Sequence, residues 1–545
     1  MNYFAKSNEI SEDASSKECF DLVKGWINNC FSNHPGCGGK DKTLPFILPR
    51  RVIWVGSEDR EEPRLALTDG GGLERYAALS HCWGDPEKIL DTKTLTLQER
   101  LHCISLSALP KTFQDAVIIT RNLGLKFLWI DSLCILQDSK EDWEIESAKM
   151  ASIYANAFVT ISASGSPDSQ GGCFLDSGNR SIHIPSTNRE GKLACVGVRE
   201  RRHLNTFETG QLPLNGRGWV LQESLLSVRK LLYTGKELVW ECHTSIACEC
   251  SPKFRPNPGD QAYPASMAGT RGRRRVATHW SAIVEQFTKR NLTKQQDRLV
   301  AIAGLASAMN QIWPDEYLCG LWKSNLNRGL LWFNVDENSQ RHNSYYAPSW
   351  TWASITGKIR WEPSSSVYYA KEAQLKHTFL IERVVCEPAT ANQYGPAKRG
   401  HLKVIGLVIP VNIMEGGLLD GIRFLVASSV RSDNGVVPSC LVRPDIGDYR
   451  EELLSKSPFL FLILSKSTRR TRTYDEDFCI SGLILRKLPS GGNKYQRVGF
   501  ASSAFGMVDR LENRPQFGIE FQGTFLYNRY DHWIGIARNR TIIIE

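Results

Sequence analysis

Short apolar runs alternate with helical apolar spacing along the segment from residue 76 to residue 163. The runs Tyr76–Cys82, Phe127–Ile130 and Phe158–Ala163 are bounded by turn or polar residues, which is typical of strands buried on both faces. Between them, Leu109–Gly124 and Ser139–Tyr154 place their apolar residues on one face of a helix. This order of strand, helix, strand, helix and strand predicts a parallel sheet covered by helices on both faces.

Local signals mark the ends of the two helices. Pro110 suits the first position of a helix, and Gly124 lies where a helix usually ends. Ser139 followed by Asp142 resembles a capping box at the start of the second helix. A third helix is predicted over Arg217–Ser227, and it is followed by two strands.

The pattern changes again beyond these elements and divides the chain. Four prolines lie between Ser251 and Arg275, amphipathic stretches follow from residue 277, and period-two apolar runs begin near residue 376. We therefore predict an α/β fold with a parallel sheet core. Its expected parts are an N-terminal extension over 1–75, the α/β domain over 76–250, a mobile linker or loop over 251–276, a helical region over 277–375 and a β-rich C-terminal domain over 376–545.

Length and charge limit the classes of partner. A chain of 545 residues predicts two or three domains. The net charge of +9, from 67 basic and 58 acidic residues, is a mild bias that does not require an anionic partner. The basic run Arg271–Arg275 is short, so a solvated loop is favoured over a nucleic-acid or localisation signal. No nucleic-acid partner is predicted.

Cysteine usage and hydropathy predict the compartment. The 15 cysteines are scattered along a long chain rather than paired in a short one, which favours a reducing environment. The first residues are polar and show no apolar signal segment. The longest strongly apolar run, Phe459–Leu464, is far shorter than the roughly 20 residues that span a bilayer. We expect a soluble cytoplasmic protein without a membrane span.

A cluster of potential metal ligands lies in the N-terminal extension. Cys30, His34 and Cys37 fall within eight residues, and thiolates with an imidazole at such spacing can bind zinc. A structural zinc site needs a fourth ligand, which this stretch does not supply, so a packed turn is favoured over zinc. A second group matches no known zinc spacing and is interpreted as ordinary thiols: Cys242, His243, Cys248 and Cys250.

Polar residues follow each of the three predicted parallel strands. They are Ser80, His81 and Trp83 after the first strand, Asp131 and Ser132 after the second, and Ser162 and Ser164 at the end of the third. In open parallel sheets, ligands bind beyond the carboxyl ends of the strands. The sequence therefore predicts a candidate binding site at this edge of the sheet.

Three motifs in this region resemble the fungal heterokaryon incompatibility (HET) domain. YAALSHCWGD at Tyr76–Asp85 resembles the first block of that family, and LWIDSLCILQD followed by ESAKMASIYANA resembles the second. RGWVLQESLLS at Arg217–Ser227 resembles the third, and further segments such as DRLVAIAGLA and APSWTWAS extend the resemblance over most of the chain. Two positions depart from the family, Leu136 where Asn is usual and His81 where Tyr is common, so no family role is transferred to those side chains.

The resemblance implies a fold and a biology. It implies a TIR-like core, which is a small flavodoxin-like parallel α/β sheet, in agreement with the pattern above. It also implies non-self recognition, in which the domain triggers programmed cell death when incompatible cells fuse, through a protein partner or self-association. Similar proteins occur in specialised-metabolite gene clusters, and an accessory role there is a further alternative.

A catalytic alternative also follows from the resemblance. The third motif is similar to the Trp-Cys-x-x-Glu helix of TIR domains, whose Glu is the catalytic carboxylate in NAD⁺-cleaving members, and this position falls on Glu223. NAD⁺ would then be the substrate, with no cofactor required. The residues expected to hold it are Ser80, His81, Trp83, Asp131, Arg217 and Trp219.

Structural roles explain the same residues as well. Glu223 would then be a surface carboxylate paired with Arg217 or Arg229, Trp219 a core residue, and Asp131 a turn residue. His81 is a candidate general base, although a structural role is favoured. A Cys–His nucleophile is the remaining possibility, with His81 beside one of the thiols at positions 82 and 134.

Overall fold

The computed structural model forms two compact units, Met1–Ala268 and Gly269–Glu545. Each unit is described by itself. The structure describes residues 10–38, 47–56, 61–68, 72–176, 182–187, 191, 193–198, 212–257, 272–361, 376–419, 422–429, 439–447, 449–455, 458–469, 477–502 and 536–545.

A nine-stranded sheet is the centre of the first unit. Its spatial order is β11-β10-β9-β8-β5-β3-β4-β1-β2. The strands are β1 (Arg51–Trp54), β2 (Arg64–Leu67), β3 (Tyr76–Ser80), β4 (Phe127–Trp129), β5 (Val159–Ser162), β8 (Arg229–Tyr233), β9 (Leu238–Cys242), β10 (Ser245–Cys248) and β11 (Ser251–Pro256). A separate hairpin pairs β6 (Ile182–Thr187) with β7 (Leu193–Val198).

The four central strands are parallel, and the outer strands are antiparallel. β3 pairs in parallel with β4 on one side and with β5 on the other, and β5 pairs in parallel with β8. The chain therefore reverses its direction of winding at β3, between the connections to β4 and β5. β3 and β5 are buried along their whole length, as their continuous apolar runs predicted. A mixed α/β unit with a large sheet containing parallel strands is thus confirmed.

Helices connect these strands. They are α1 (Lys17–Asn33), α2 (Leu97–His102), α3 (Lys111–Asn122), α4 (Asp131–Cys134), α5 (Lys140–Asn156) and α6 (Gly218–Leu226). The predicted helix ends lie within two residues of the observed ones. Pro110 precedes α3 instead of occupying its first turn, and Gly124 follows α3 with a φ of 71°.

The capping box predicted before α5 forms only in part. The Ser139 side chain accepts a hydrogen bond from the Asp142 backbone N–H at 3.2 Å, as expected of an N-cap. The Asp142 carboxylate instead accepts from the Arg51 guanidinium and from the Leu136 backbone N–H. This carboxylate therefore ties α5 to β1 instead of completing the cap.

The segment over 251–276, which was predicted as a mobile linker or loop, begins and ends in regular structure. Its first residues form β11, which pairs antiparallel with β10 at the edge of the sheet. Residues 258–271 lie outside the described residues, and the next helix begins at Gly272. Part of the basic run therefore belongs to a helix.

The second unit contains both the helical region and the β-rich region. Its helices are α7 (Gly272–Phe287), α8 (Val300–Ile312), α9 (Leu326–Gly329) and α10 (Tyr449–Ser455). Two short hairpins pair β12 (Tyr317–Leu318) with β13 (Leu321–Trp322), and β14 (Trp332–Asn334) with β15 (Ile359–Trp361).

A second nine-stranded sheet confirms the predicted β-rich C-terminal part. Its strands are β16 (Lys376–His377), β17 (Phe379–Pro388), β18 (Ala397–Leu419), β19 (Ile422–Ser429), β20 (Ser439–Pro444), β21 (Phe459–Arg469), β22 (Asp477–Lys487), β23 (Lys494–Ser502) and β24 (Arg538–Ile544). Its pairings are antiparallel except for that of β23 with β24. Of the helices that the structure describes, none has both the length and the apolar character that a bilayer crossing requires.

Candidate functional site

The polar strand ends of the first unit converge around β3. β3 and β5 are in register, with Ser80 opposite Ser162 in their last pair. The winding of the sheet reverses at β3, and crevices for ligands form at such reversals in open α/β sheets. The residues that follow β3 and β4, together with α6, meet at this position.

The Ser80 hydroxyl donates a hydrogen bond of 2.5 Å to the Glu223 carboxylate. Two further hydroxyls hold the end of α6, because Ser227 Oγ donates to the Glu223 carbonyl at 2.6 Å and lies 2.6 Å from Thr160 Oγ1 on β5. The helix is therefore attached to the sheet on both sides of the carboxylate. Glu223 is 2% exposed, so it is a buried residue and not the surface carboxylate of the structural alternative.

Burial controls the charge of this carboxylate. It raises the pKa of Glu223 to about 7, against the lowering effects of the Arg217 charge and of the Ser80 and Tyr154 hydroxyls. The nearby Asp131 charge raises this pKa further. A carboxyl group with a pKa near neutrality can exchange a proton at physiological pH, which is a property of general acids and bases.

Asp131 lies close to His81 and is held by two donors. The Trp83 indole N–H donates to Asp131 Oδ2 at 2.8 Å, and the Ser132 backbone N–H donates to Oδ1 at 2.7 Å. Asp131 is also the first residue of the short helix α4, where a carboxylate is favourable. Asp131 thus lies in a turn, at the start of α4, and also beside the other polar residues of the candidate site.

His81 is a buried and neutral imidazole. Its ring packs edge-to-face on Phe113 with centroids 4.9 Å apart. Burial lowers the pKa of His81 to about 4, although Asp131 opposes the shift. The 3.9 Å approach of its Nδ1 to Asp131 is therefore not an ion pair at neutral pH. This packing supports the structural role that the sequence favoured.

Two partly exposed side chains cover the cluster. The Arg217 guanidinium donates to the His81 carbonyl, and its carbon lies 5.8 Å from the centre of the Trp83 ring. Trp219, in the first turn of α6, is also partly exposed and is not a fully buried core residue. By contrast, Ser80, His81, Asp131 and Glu223 are each 9% exposed or less. A ligand could reach Glu223 only if its surroundings opened.

The turn after Trp83 depends on a glycine. Gly84 has a φ of +80°, and a Cβ at this position would lie 2.5 Å from the Cβ of Asp168 in the loop after β5. Only a residue without a side chain allows this close approach. The Trp-Gly-Asp sequence therefore positions Trp83 against the neighbouring loop.

The thiols near the strand ends are not activated nucleophiles. Burial raises the pKa of Cys82, and it raises the pKa of Cys134 to about 12. Cys82 packs with Leu214 and Val220 in a small apolar cluster. Both groups are thus neutral thiols at physiological pH, which is opposite to what a Cys–His nucleophile requires.

Tyr154 was not predicted as a site residue. Its position on the apolar face of α5 indicated a core role, and its hydroxyl donates to the Leu79 carbonyl at 2.9 Å. That hydroxyl is also close enough to Glu223 to lower the pKa of the carboxyl. The apolar pattern of α5 does not distinguish such a tyrosine from one that only fills the core.

The predicted metal candidates lie apart from the cluster around Glu223. Cys30, His34 and Cys37 come together as predicted, and Cys242 joins them. The two later thiols, Cys248 and Cys250, do not join Cys242 and lie beside Glu237 instead.

Residues 76–223 match the family model described as Heterokaryon incompatibility protein (HET). The match begins at the first residue of β3 and ends at Glu223, so it contains the whole polar cluster. It supports the heterokaryon incompatibility domain that the three motifs indicated. A search of curated proteins and a search of solved structures found no match.

Proposed function

We propose that this chain acts in fungal heterokaryon incompatibility, where it recognises non-self and triggers programmed cell death in the cytoplasm. One observation carries the proposal, namely the family match over residues 76–223. Within that segment, a hydrogen bond joins Ser80 in the first motif to Glu223 in the last. The first and the last motif therefore pack against each other.

The first mode of action is assembly without chemistry. The polar side chains of the cluster satisfy one another, and Glu223 and His81 are each 2% exposed. In this mode the closed cluster only stabilises the domain, and the domain signals by binding a protein partner or by self-association. The same unit also exposes large apolar side chains, among them Leu95 at 95% and Ile145 at 48%.

The second mode is hydrolysis of NAD⁺, and the position of Glu223 favours it. The parallel strands lie in the spatial order β4-β3-β5-β8. Counted along the chain, this is second, first, third and fourth, which is the start of a flavodoxin-like order and supports a TIR-like core. Glu223 lies at the reversal point of that order. Water would add to the ribose C1′ while the bond to nicotinamide breaks, giving ADP-ribose, nicotinamide and a proton.

An ionised Glu223 would stabilise the oxocarbenium-like state of this reaction, as carboxylates do in glycoside hydrolysis. Nicotinamide leaves from a positively charged nitrogen, so no acid is needed on the leaving group. Because Glu223 is 2% exposed, the side chains around it would have to move aside for the dinucleotide. Since burial raises the Glu223 pKa to about 7, this mode requires that opening also ionises the group.

Expression in yeast separates the two modes. Cell survival and total NAD⁺ are measured for the wild type, for Glu223→Gln and for Glu146→Gln. The last is the matched control, because Glu146 is a buried carboxylate of the same matched segment at 1% exposure. Hydrolysis predicts NAD⁺ loss and death in the wild type and the control, and neither in Glu223→Gln.

Assembly predicts a different set of results. Death occurs with unchanged NAD⁺, survives Glu223→Gln, and is lost in a Leu95→Asp, Ile145→Asp double variant that no longer self-associates or retains its partner in size-exclusion chromatography. The proposal of an incompatibility function would be overturned if cells that express the folded wild type survive fusion with an incompatible partner strain.

A further inference from the structure

Four buried side chains from distant parts of the chain meet in one cluster. Cys30 ends the apolar face of α1, His34 follows that helix, and Cys37 closes the turn Pro35–Cys37. Cys242 is the last residue of β9. Their ligand atoms all lie within 4.8 Å of one another, and each residue is 8% exposed or less. We shall call these four residues the Cys₃His cluster.

We propose that the Cys₃His cluster binds one Zn²⁺ ion as a structural site. Three thiolates and one imidazole are a common tetrahedral ligand set for structural zinc. With Zn–S bonds of about 2.3 Å and Zn–N bonds of about 2.0 Å, tetrahedral ligand atoms lie roughly 3.5–3.8 Å apart. The observed separations, including 3.3 Å between His34 Nδ1 and Cys242 Sγ, fit such a centre with small adjustments.

The surroundings favour thiolates over disulfides or neutral thiols. The Ser245 backbone N–H donates to Cys242 Sγ at 3.3 Å, and the Thr244 hydroxyl lies 3.5 Å from Cys37 Sγ. Hydrogen bonds from such groups stabilise the charge on metal-bound sulfur. Cys30, Cys37 and Cys242 are free thiols, so these sulfurs remain available as ligands.

A buried cation beside the cluster supplies a second argument. Arg229 is 3% exposed, and its guanidinium donates to the carbonyl oxygens of Cys37 and Phe158. Neither acceptor carries a full charge, and no carboxylate among the described residues is in an ion pair with Arg229. A buried charge without a counter-charge is costly. Zinc with three thiolates and one imidazole carries a net charge of −1. The occupied cluster would therefore supply the negative charge that Arg229 faces.

The proposed ion is structural because the protein fills all four positions. Catalytic zinc keeps one position for water or substrate, whereas closed four-ligand sites stabilise folds. Cys242 and His34 are separated by 208 positions in the chain. Zinc would thus attach the N-terminal helix α1 to the end of β9, and its binding would release the thiol protons.

The nearby group of Glu237, Cys248 and Cys250 does not carry the same proposal. It offers three ligand atoms among the described residues, and its two sulfurs lie only 3.0 Å apart. That separation is shorter than the roughly 3.8 Å between two thiolates on one tetrahedral zinc ion. The Cys₃His cluster is therefore the only one of the two that fits zinc.

The metal content of the purified full chain tests this proposal. The chain is expressed with zinc in the medium, purified under reducing conditions and analysed by inductively coupled plasma mass spectrometry. We expect about one zinc per chain in the wild type and less than about a tenth in Cys242→Ser. Cys173→Ser is the matched control, because Cys173 is a buried thiol of the same unit outside the cluster, and it should retain the metal.

Three further measurements keep the test independent of misfolding. Cys37→His keeps four ligands, so it should still bind zinc, whereas a general loss of structure would remove zinc from any variant. Reconstitution of the wild type with Co²⁺ should give the visible bands of tetrahedral cobalt with a thiolate charge-transfer band. Chelation of the zinc should lower the melting temperature of the wild type and leave that of Cys242→Ser unchanged.

Three results would overturn the proposal. One is a folded wild type that contains no zinc and binds none when Zn²⁺ is added under reducing conditions. The second is equal zinc content in the wild type and Cys242→Ser. The third is a thiol titration of the denatured, unreduced protein that finds fewer than the 15 thiols of the sequence, with the missing pair mapped to the cluster.

Discussion

Ser80 and Glu223 form a hydrogen bond of 2.5 Å although 143 positions separate them in the chain. The bond joins the end of β3 to α6, and it lies next to the reversal of strand order in the sheet. A buried carboxylate in this position has consequences that do not depend on whether the domain is catalytic. The first of them concerns stability against pH.

The first prediction is that Glu223 destabilises the fold as pH rises. Its pKa is about 7 in the folded protein against an ordinary 4.5, so between these values the folded state binds more protons than the unfolded state. Stability from this group is therefore present below pH 4.5 and is lost as pH rises towards 7. Glu223→Gln should gain about 3 kcal/mol relative to the wild type between pH 4.5 and pH 7.5.

Chemical denaturation at a series of pH values measures this difference. His81 has the opposite dependence, since its pKa falls from 6.5 to about 4, and it gains stability as pH rises through that window. The two effects nearly cancel in the wild type, so only the difference between wild type and variant reveals Glu223. A pH-independent difference would contradict the predicted pKa.

The second prediction concerns the hydrogen bond between Trp83 and Asp131. Trp83→Phe keeps an aromatic ring but removes the N–H that donates to the carboxylate at 2.8 Å. Because Asp131 is 9% exposed, the loss should cost about 1.5–3 kcal/mol. A double-mutant cycle with Asp131→Ala should give a coupling energy of about 1–2 kcal/mol.

Trp54→Phe on β1 is the matched control for this measurement. Trp54 is also partly exposed, and its contact with Arg64 uses the ring face, which a phenylalanine retains in part. Its cost should be about 1 kcal/mol or less. Equal costs for the two tryptophans, or zero coupling with Asp131, would mean that the indole N–H does not hold the carboxylate.

The third prediction separates backbone strain from close contact at Gly84. Gly84 and Gly124 have nearly the same φ, +80° and +71°, but only at Gly84 would a Cβ meet another atom, the Asp168 Cβ at 2.5 Å. Gly124→Ala should cost about 1–2 kcal/mol from the backbone alone. Gly84→Ala should cost a further 1–3 kcal/mol or so from the clash.

Thermal denaturation of the two alanine variants tests the comparison directly. The melting temperature of Gly84→Ala should fall below that of Gly124→Ala. Equal melting temperatures would show that the loop around Asp168 yields without cost and does not fix the Trp83 turn.

The fourth prediction concerns a buried ion pair of the second unit. Arg497 donates to both oxygens of Asp445 at 3.1 and 3.3 Å, and both residues are fully buried. The other donors of Arg497 bind the carbonyls of Leu330 and Trp332. Asp445→Asn should destabilise the unit by about 3–5 kcal/mol, because it leaves a buried guanidinium without its counter-charge.

Glu382→Gln provides the surface control for that variant. Glu382 pairs with Lys403 at 2.8 Å on exposed parts of the same β-rich unit, and such pairs contribute about 0–1 kcal/mol. Urea denaturation of both variants measures the contrast. Similar midpoints for the two would mean that the buried pair contributes no more than an exposed one.

Local patterns predicted the elements of the first unit well. The run at Tyr76–Cys82 became β3, and Ser139 caps α5 through the Asp142 N–H. These features depend on residues close in sequence, where periodicity and capping chemistry decide the conformation. Proline content, by contrast, does not reveal that residues 251–256 add an edge strand to a sheet.

The candidate site was predicted only as a set of residues. Ser80, Asp131 and Glu223 were expected near one edge of the sheet, and the structure brings them to that edge. Whether Glu223 is buried was not decided, since a carboxylate on a helix looks the same in sequence whether it faces solvent or core. Tyr154 was predicted as a core residue, and its pattern did not reveal that its hydroxyl lies close to Glu223.

The sequence alone determined the α/β character of the first unit, the strand ends that carry polar residues and the three motifs of the HET family. Only the tertiary structure decided that Glu223 is buried against Ser80, and that Cys242 is the fourth member of the Cys₃His cluster. The reason is physical. Periodicity reports which face of an element is apolar, whereas contacts between residues 143 or 208 positions apart depend on how the whole sheet packs.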